Sequence, residues 1–250
     1  MIDTLKAQAK KLRLGYSARH LERHIKEATA ENESFETFLA TLFEHELALR
    51  HENSVKRRIK EARFPYHKYL DEMDTTSLPQ EAEQAFNELR SLAFIRDKQN
   101  LIFAGNPGTG KTHLAIGLGI KAIQEGFKVH FAHVPSLIVE LKESQSERRL
   151  HRLKQKIEKF DLIILDELGY VSFDQEGAEL LFNMISARAE KASTLITTNL
   201  SFDRWKEIFH DPVITAAIVD RITHQSYVIN MSGTSYRYRA QKSFMAKQSN

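Results

Sequence analysis

One segment of the sequence has the residue types and spacing of a phosphate-binding loop. Residues 105 to 112 satisfy the pattern G-x-x-x-x-G-K-[ST] with Gly105, Asn106, Pro107, Gly108, Thr109, Gly110, Lys111 and Thr112. The glycines let the chain wrap so that successive N–H groups face a β-phosphate, and Lys111 neutralises β- and γ-phosphate oxygens. Thr112 places a hydroxyl on Mg²⁺. We therefore expect these eight residues to bind ATP together with Mg²⁺.

The elements around this loop favour the same interpretation. A short apolar run, residues 101 to 104, precedes it, and a helical pattern from Thr112 to Gln124 follows it. A helix N-terminus at this point adds positive potential for an anion. The alternative is a glycine-rich strand-to-helix turn with an unrelated lysine. The G-x-G-x-x-G order of dinucleotide-binding folds is absent.

A pair of acids follows another apolar run, residues 162 to 165. Asp166 is placed to hold Mg²⁺ through its water shell, as aspartates at this position do in phosphate-loop enzymes. Glu167 is placed to orient or deprotonate an attacking water molecule. Acids also end strands in many folds without this chemistry, so the interpretation depends on the accompanying phosphate loop.

Asn199 ends a third apolar run, residues 194 to 198. Ligands of open α/β sheets bind at the carboxyl ends of the strands, where the amide of Asn199 can reach a γ-phosphate or the attacking water. The alternative is an asparagine that simply forms a turn.

Five short apolar runs alternate with helical stretches, which predicts an α/β domain with a parallel sheet. The predicted strands are residues 101–104, 129–132, 162–165, 194–197 and 227–230, and a further helix is predicted from Gln80 to Phe94. From Thr4 to about Arg63 there is no proline, and apolar residues recur at helical spacing. We expect three or four helices there, forming an all-helical N-terminal domain of residues 1 to 68. Residues 69 to 250 then form the ATPase domain, which opens with a linker ending near Leu78 and Pro79.

Composition narrows the class of protein. The 250 residues are 42% hydrophobic and 28% charged, as in a soluble globular protein, and there is no cysteine. This excludes disulfides, thiolate metal sites and a cysteine nucleophile, and it fits a reducing compartment. No apolar run reaches the ~18 residues of a membrane-spanning helix, and the first residues lack the order of a signal peptide. We expect a cytoplasmic protein that makes no membrane contact.

Several longer segments are similar to one known group of ATPases. The phosphate loop, the Asp-Glu pair and the strand-end asparagine resemble the AAA+ superfamily. Residues 166–170, 197–202, Trp205, 220–222 and 233–237 resemble the IstB-type transposition helper ATPases, relatives of the DnaC helicase loader. The resemblance extends from the N-terminal helical region to Arg239.

This resemblance implies an AAA+ P-loop core with a parallel sheet and a shortened lid, preceded by the helical domain. Arg221 falls where such proteins carry an arginine finger that reaches a neighbouring subunit's γ-phosphate, which implies a homo-oligomer. The alternative for Arg221 is a surface ion pair with Asp220. Arg237 aligns with the residue that contacts bound nucleotide within the same subunit.

Two basic patches are candidate DNA contacts. In an insertion before Asp166, the apolar residues Leu150, Leu153 and Ile157 share one helix face, so the basic residues project outward. They are Arg148, Arg149, Arg152, Lys154 and Lys156. The resemblance implies DNA contact at this insertion. The second patch is Lys56, Arg57 and Arg58. The alternatives are a solvated helix face and cations that complement a helix C-terminus.

The combined expectation is an ATPase that binds duplex DNA without sequence preference, oligomerises on it, and recruits or stimulates a transposase in DNA transposition. A replicative helicase loader of the DnaC type is the nearest alternative. A small-molecule kinase and a slowly hydrolysing ATP-switched scaffold are others. The adjacent acids and Asn199 favour water over a small-molecule acceptor.

Overall fold

The computed structural model describes residues 1–209, 211–233 and 235. The chain forms two compact units, Met1–Arg57 and a second that begins at Arg58. The sequence placed the corresponding boundary at residue 68. Residues 58 to 68 pack within the second unit, since Arg58 donates to the Gly126 carbonyl at 2.7 Å and the Ala62 carbonyl accepts from the Phe131 N–H at 2.8 Å.

The first unit consists of helices α1 (Ile2–Lys11) and α2 (Gly15–Glu31) and most of α3 (Phe35–Glu61). Three helices are within the predicted number. Ser34 accepts a hydrogen bond from the Thr37 N–H at 3.2 Å, which is the contact expected of a residue that begins a helix.

One buried acid connects α3 to the start of α2. The residue that precedes α2 does not cap it with its side chain. Instead, the carboxylate of Glu46 on α3 accepts hydrogen bonds from the N–H groups of Gly15, Tyr16 and Ser17 at 2.9, 2.9 and 3.1 Å. Only 4% of Glu46 is exposed. Burial would raise the pKa of Glu46, but these N–H groups outweigh it and hold the pKa below its usual value. A carboxylate at a helix N-terminus is also favoured by the helix dipole.

The apolar residues of α3 do not all enter a core. Leu42 is buried, whereas Phe35, Leu39, Phe43 and Leu47 are exposed by 86, 45, 53 and 64%. The helical spacing is therefore confirmed, but the apolar residues occupy two adjacent faces and only one of them is covered within the described residues.

The second unit contains a parallel five-stranded sheet. Its strands are β1 (Asn100–Ala104), β2 (Val129–His133), β3 (Leu162–Leu168), β4 (Ser193–Thr198) and β5 (Ser226–Asn230). They lie in the order β2-β3-β4-β1-β5, and every pairing is parallel. This confirms all five predicted strands and the parallel sheet.

Helices cover both faces of this sheet. They are α4 (Gln80–Arg90), α5 (Ala93–Arg96), α6 (Lys111–Gln124), α7 (Val134–Ser146), α8 (Leu150–Ile157), α9 (Gln175–Arg188), α10 (Lys206–Phe209) and α11 (Pro212–Thr223). Alternate residues of β3 point to opposite layers. Ile163 and Leu165 join the cluster formed with α7, α9 and α11, while Ile164 approaches Gly119 of α6. That cluster also contains the only tryptophan, Trp205, which is fully buried.

The prediction of a single helix from Gln80 to Phe94 is wrong in one respect. The structure breaks it into α4 and α5 at Leu92, whose φ of 59° is left-handed and so interrupts the helix. Leu92 is fully buried, and its packing outweighs the local preference for a continuous helix.

Residues 64 to 78, which we call the strap, are packed against α6. A Cβ atom on Gly117 would lie 2.6 Å from Leu70, and one on Gly119 would lie 2.8 Å from Phe64. These two glycines therefore permit a close approach that a larger residue would block. The predicted linker is a fixed part of the second unit, with short 3₁₀ turns at Leu70–Glu72 and Thr75–Ser77. Among the described helices, none is long and apolar enough to cross a membrane.

We expect the hydrogen bonds of Glu46 to stabilise the first unit. Glu46→Ala leaves three N–H groups of α2 without their acceptor, so the free energy of unfolding of this unit should fall by about 2 kcal/mol. Urea denaturation of the full chain followed by far-ultraviolet circular dichroism measures the change. Glu44→Ala, an exposed acid on the same helix, is the matched control and should change stability by less than about 0.5 kcal/mol.

The same contacts set a pH dependence. Because the pKa of Glu46 is lowered on folding from 4.5, its contribution is complete above pH 4.5 and is lost as the pH falls through the lower folded-state value. Wild type and Glu46→Gln should therefore differ in stability at pH 7 and converge in acid. A constant difference between pH 7 and pH 3 would contradict this role of the carboxylate.

Candidate nucleotide site

The phosphate loop connects β1 to α6, as the sequence predicts. Gly108 and Gly110 have φ values of 80° and 94°, a left-handed conformation that favours glycine. Gly110 directly precedes the first turn of α6. The loop N–H groups and the helix N-terminus therefore surround one position at the carboxyl end of β1, which is the arrangement that binds an anion.

Lys111 lies inside this loop and only 7% of it is exposed. Its ammonium group donates hydrogen bonds to the Gly105 and Asn106 carbonyls, both at 2.7 Å. Burial lowers the pKa of Lys111 to about 8, and the nearby Asp166 and Glu167 charges oppose that shift. The lysine is thus a cation close to its titration range, in the position where a phosphate would bind.

Asp166 is the centre of a hydroxyl-carboxylate cluster. Its Oδ1 accepts hydrogen bonds from Thr112 Oγ1 at 2.9 Å and from Thr197 Oγ1 at 2.6 Å. Asp166 is 5% exposed, and burial raises its pKa although both hydroxyls act to lower it. The cluster joins the first turn of α6 to the ends of β3 and β4.

The same cluster fits a magnesium ion. Mg²⁺ prefers oxygen ligands and takes few of them from the protein when phosphate oxygens and water complete its shell. Thr112 and Asp166 offer a hydroxyl and a carboxylate side by side. The described residues hold no group of three or more His, Cys, Asp or Glu that would bind a metal by protein ligands alone.

Glu167 has an unusual backbone conformation. Its φ is 63°, and the pairing of β3 with β4 shifts register between Leu165 and Leu168. A left-handed conformation costs a non-glycine residue about 1 to 3 kcal/mol and is common where function requires it. Here it is supported by a hydrogen bond from the Glu167 N–H to Thr197 Oγ1 at 3.0 Å. Glu167 lines the cavity beside the loop.

Two residues of this site were missed by the sequence interpretation. Thr197 contacts both acids, and His133 at the end of β2 lies with Nε2 2.8 Å from Glu167 Oε2. Only their position could have identified them from the sequence. Both are polar residues at the carboxyl ends of parallel strands that lie next to the strand with the two acids.

The loop forms one wall of a cavity of about 410 Å³. This volume is within the range of small-molecule sites. The opposite wall comes from the strap, whose contributing residues are Tyr66, Lys68, Tyr69, Glu72, Met73, Asp74, Ser77 and Leu78. Aromatic and apolar groups of the strap therefore face the phosphate loop across a space of the size that a nucleotide requires.

Asn199 follows β4 and is half-buried next to Gly169. Its Oδ1 is buried without a hydrogen-bond partner among the described residues. Thr197, rather than Asn199, is the β4 residue that lines the cavity. The role of Asn199 stays a prediction. Arg237 lies outside the described residues.

Arg221 is on the last turn of α11, away from the phosphate loop of its own chain. It lines a second cavity of about 330 Å³ together with Asn100 at the start of β1. Its guanidinium lies 5.0 Å from the ring centroid of Phe182. Within the part of the chain that the structure describes, it forms no hydrogen bond or ion pair, and the alternative pair with Asp220 is not formed.

The basic insertion forms α8 as predicted, with Ile157 buried and Leu150 and Leu153 packed against the core. Arg148, Arg149, Arg152 and Lys156 are exposed and Lys154 is half-buried. Arg149 pairs with Glu147. Arg188 of α9 is buried and donates to the Ile157 carbonyl at 2.8 Å, which attaches the end of α8 to the core.

Two residues of the second patch contact other parts of the chain. Lys56 pairs with Glu52 at 2.5 Å, and Arg58 donates to the Gly126 carbonyl. The division between the two units falls inside this patch, after Arg57.

Known proteins share this sequence and this fold. A Pseudomonas aeruginosa protein named as an ATP-binding protein of insertion sequence IS21 is 37% identical over 93% of this chain and 88% of its own length. A Geobacillus stearothermophilus protein named in the same way for insertion sequence IS5376 is 38% identical, with 88% of each chain covered.

Among solved structures, the DnaC helicase loader matches with a TM-score of 0.52 and 22% identity, covering 70% of this chain and 98% of that one. This likeness shows the fold alone. The model of the family described as IstB-like ATP binding protein matches residues 7–244. With the phosphate loop and its acids in place, the chain therefore belongs to the family of IstB-like ATP binding proteins.

Proposed function

We propose that this protein is a Mg²⁺-dependent ATPase of DNA transposition, which assembles on DNA as a homo-oligomer and recruits or stimulates a transposase. The observation that carries the proposal is the contact of Thr112 and Thr197 with Asp166 beside the phosphate loop, in a chain whose relatives are named for insertion sequences.

In this proposal, residues 105 to 112 bind the phosphates through their N–H groups, and Lys111 contacts β- and γ-phosphate oxygens. Thr112 and Asp166 hold Mg²⁺, which offsets the negative charge of the phosphates. The strap encloses the base and ribose. Arg237 contacts the nucleotide from the same subunit.

Hydrolysis uses the acid that follows Asp166. Glu167 accepts a proton as the water oxygen bonds to the γ-phosphorus and the β–γ bridging bond breaks, which yields ADP and phosphate. His133 holds the Glu167 carboxylate at 2.8 Å, and Thr197 fixes its backbone at 3.0 Å. Asn199 orients the water or the γ-phosphate. These contacts support water as the acceptor over a small-molecule substrate.

Arg221 completes the site of a neighbouring copy. Its guanidinium is exposed, has no carboxylate partner in the described residues, and is directed by Phe182. An arginine with free donors at the subunit surface suits a γ-phosphate supplied from outside its own chain. Activity then depends on assembly.

DNA is bound through phosphate contacts of α8, with Lys56, Arg57 and Arg58 as a further contact. The apolar face of α8 is fixed by Ile157 and Arg188, so its exposed basic residues are held on a rigid support. Contacts of this kind are independent of sequence.

A helicase loader is the second candidate, favoured by the similarity to the DnaC fold. The two candidates share the ATPase core and differ in the protein that is bound. Capture of the transposase of the same element, but not of a replicative helicase, by the ATP-bound chain separates them.

The pKa of Lys111 predicts how ATP affinity depends on pH. The cationic lysine predominates below about pH 8 and favours phosphate, so affinity should be constant near pH 7 and fall above pH 8, approaching about tenfold per pH unit. Equilibrium titration with a fluorescent ATP analogue measures it. Lys111→Arg keeps its charge throughout this range, so its profile should be flat. A flat wild-type profile would contradict the prediction.

Mixing two inactive variants tests the role of Arg221. Arg221→Ala should lower kcat by about 10³-fold with ATP affinity unchanged, because it acts on the neighbour's transition state. Lys111→Ala should fail to bind ATP. Mixed oligomers place an intact Arg221 beside an intact Lys111, so part of the activity should return. Lys98→Ala, which lines the same cavity as Arg221, is the control. Failure to recover activity on mixing would rule out action between subunits.

Charge reversal tests the α8 surface. Arg149→Glu with Arg152→Glu should weaken binding of the ATP-bound protein to duplex DNA of any sequence. The slope of the logarithm of the binding constant against the logarithm of the salt concentration should also become shallower, by about one unit for each DNA phosphate that the variant no longer binds. Fluorescence anisotropy across a salt series measures both. Arg204→Glu with Lys206→Glu makes the same charge change on another exposed segment and should have little effect. An equal reduction in both variants would assign the effect to net charge alone.

A further inference from the structure

Two neighbouring strands end at the same level and continue side by side. Strand β5 pairs with β1 in parallel, and Asn230 lies opposite Ala104, so the last residues of the two strands are partners. Strand β1 continues into the phosphate loop. Strand β5 continues into residues 231 to 235, which we call the β5 extension and of which residue 234 lies outside the described part of the chain. The β5 extension therefore starts next to the phosphate loop.

The backbone of the β5 extension touches the first residue of the phosphate loop. The Met231 N–H donates to the Ala104 carbonyl at 2.6 Å, and Met231 is fully buried. A Cβ atom on Gly105 would overlap backbone atoms of Met231 and Ser232. Glycine at position 105 thus permits a contact between two backbones that a larger residue would block.

A side chain of the β5 extension touches the loop three residues later. A Cβ atom on Gly108 would overlap the hydroxyl oxygen of Ser235 and would lie 3.1 Å from its Cβ atom. Ser235 is half-buried. The space beside Gly108 is therefore filled by Ser235, so the loop cannot move toward the β5 extension without displacing this side chain.

The strap approaches the loop at a different glycine. A Cβ atom on Gly110 would lie 3.4 Å from Leu78, the last residue of the strap. Gly108 and Gly110 are the two loop residues with the left-handed φ values of 80° and 94°. Each of these two positions therefore has its own neighbour from outside the loop, Ser235 at the first and Leu78 at the second.

From these contacts we infer that Ser235 is a positioning residue of the nucleotide site, which holds the phosphate loop at Gly108 in the conformation that binds phosphate. This inference rests on the proposed binding of ATP by residues 105 to 112. A loop whose N–H groups are already directed at one point binds an anion more tightly than a loop that must first be ordered. Ser235 acts through the loop and not on the reacting atoms.

Action through the loop can be told apart from direct contact with the γ-phosphate. The N–H groups of a phosphate loop surround the α- and β-phosphates, which ATP and ADP share. Displacement of the loop should therefore weaken both nucleotides by a similar factor, whereas a lost contact with the γ-phosphate would weaken ATP alone. Because linkage is reciprocal, either nucleotide should in turn stabilise the position of the β5 extension.

Enlarging Ser235 tests the positioning role. Ser235→Leu adds atoms where Gly108 has no free space beside it, and overpacking of this kind should raise the Kd of both ATP and ADP about tenfold. Ser232→Leu makes the same change at an exposed position of the β5 extension and should bind both nucleotides like wild type. Equilibrium titration with fluorescent analogues of the two nucleotides measures the affinities, and the emission of the buried Trp205 verifies that each variant is folded.

The possible results separate this inference from the proposed function. A folded Ser235→Leu variant that binds both nucleotides like wild type would overturn the inference and leave the ATP site intact. Weakening of ATP alone would also overturn it, because Ser235 would then contact the γ-phosphate. A wild type that binds neither nucleotide would refute the proposed function itself.

A pair of glycine substitutions tests the contact without enlarging Ser235. Gly108→Ala and Gly110→Ala each place a Cβ atom on a left-handed residue, so both should weaken ATP binding. Adding Ser235→Gly makes room beside residue 108 but not beside residue 110, which approaches Leu78. Ser235→Gly should therefore improve the ATP affinity of Gly108→Ala by about threefold or more and leave that of Gly110→Ala without recovery. Recovery in both backgrounds, or in neither, would refute a specific contact between Ser235 and Gly108.

Discussion

The arrangement of the nucleotide site depends on one buried carboxylate. Asp166 is almost fully covered, and a charge in that position requires hydrogen-bonding partners. It finds them in two hydroxyls from different elements, Thr112 at the start of α6 and Thr197 on β4, which converge on the same oxygen. Because the phosphate loop leads directly into α6, these bonds fix the loop relative to the sheet.

Thr197 extends this attachment to the second acid. The threonine oxygen donates to Asp166 and accepts the N–H of Glu167, so one side chain orders both consecutive residues. Glu167 has a left-handed backbone and lines the cavity, and His133 contacts its carboxylate. The residues proposed to bind the metal and to activate water are thus adjacent in the chain and share Thr197, and His133 contacts only the second of them. A change at Thr197 would disturb both, whereas a change at His133 acts on Glu167 alone.

The sequence predicted the parts of this protein that are consecutive in the chain. The phosphate loop, the acid pair and the five strands depend on local pattern, and the structure has the loop and strands where they were expected. Thr197 and His133 were missed because their importance arises from strand order, which brings β2 and β4 to either side of β3. The strap was interpreted as a linker because only its packing on Gly117 and Gly119 reveals that it is fixed. The sequence predicted α3 but not the exposure of its apolar residues, because helical spacing does not tell which apolar face is covered.

Trp205 gives the two units different optical properties. It is the single tryptophan, it is fully buried beside Phe202 and Phe209, and it belongs to the second unit. Indole emission therefore reports on the hydrophobic core of the second unit, whereas the three N-terminal helices contribute no indole signal. Their unfolding would decrease the helical dichroism without changing the indole emission. Comparing the two spectroscopic signals in one denaturation experiment thus shows whether the units unfold together or in sequence, without any label or truncation.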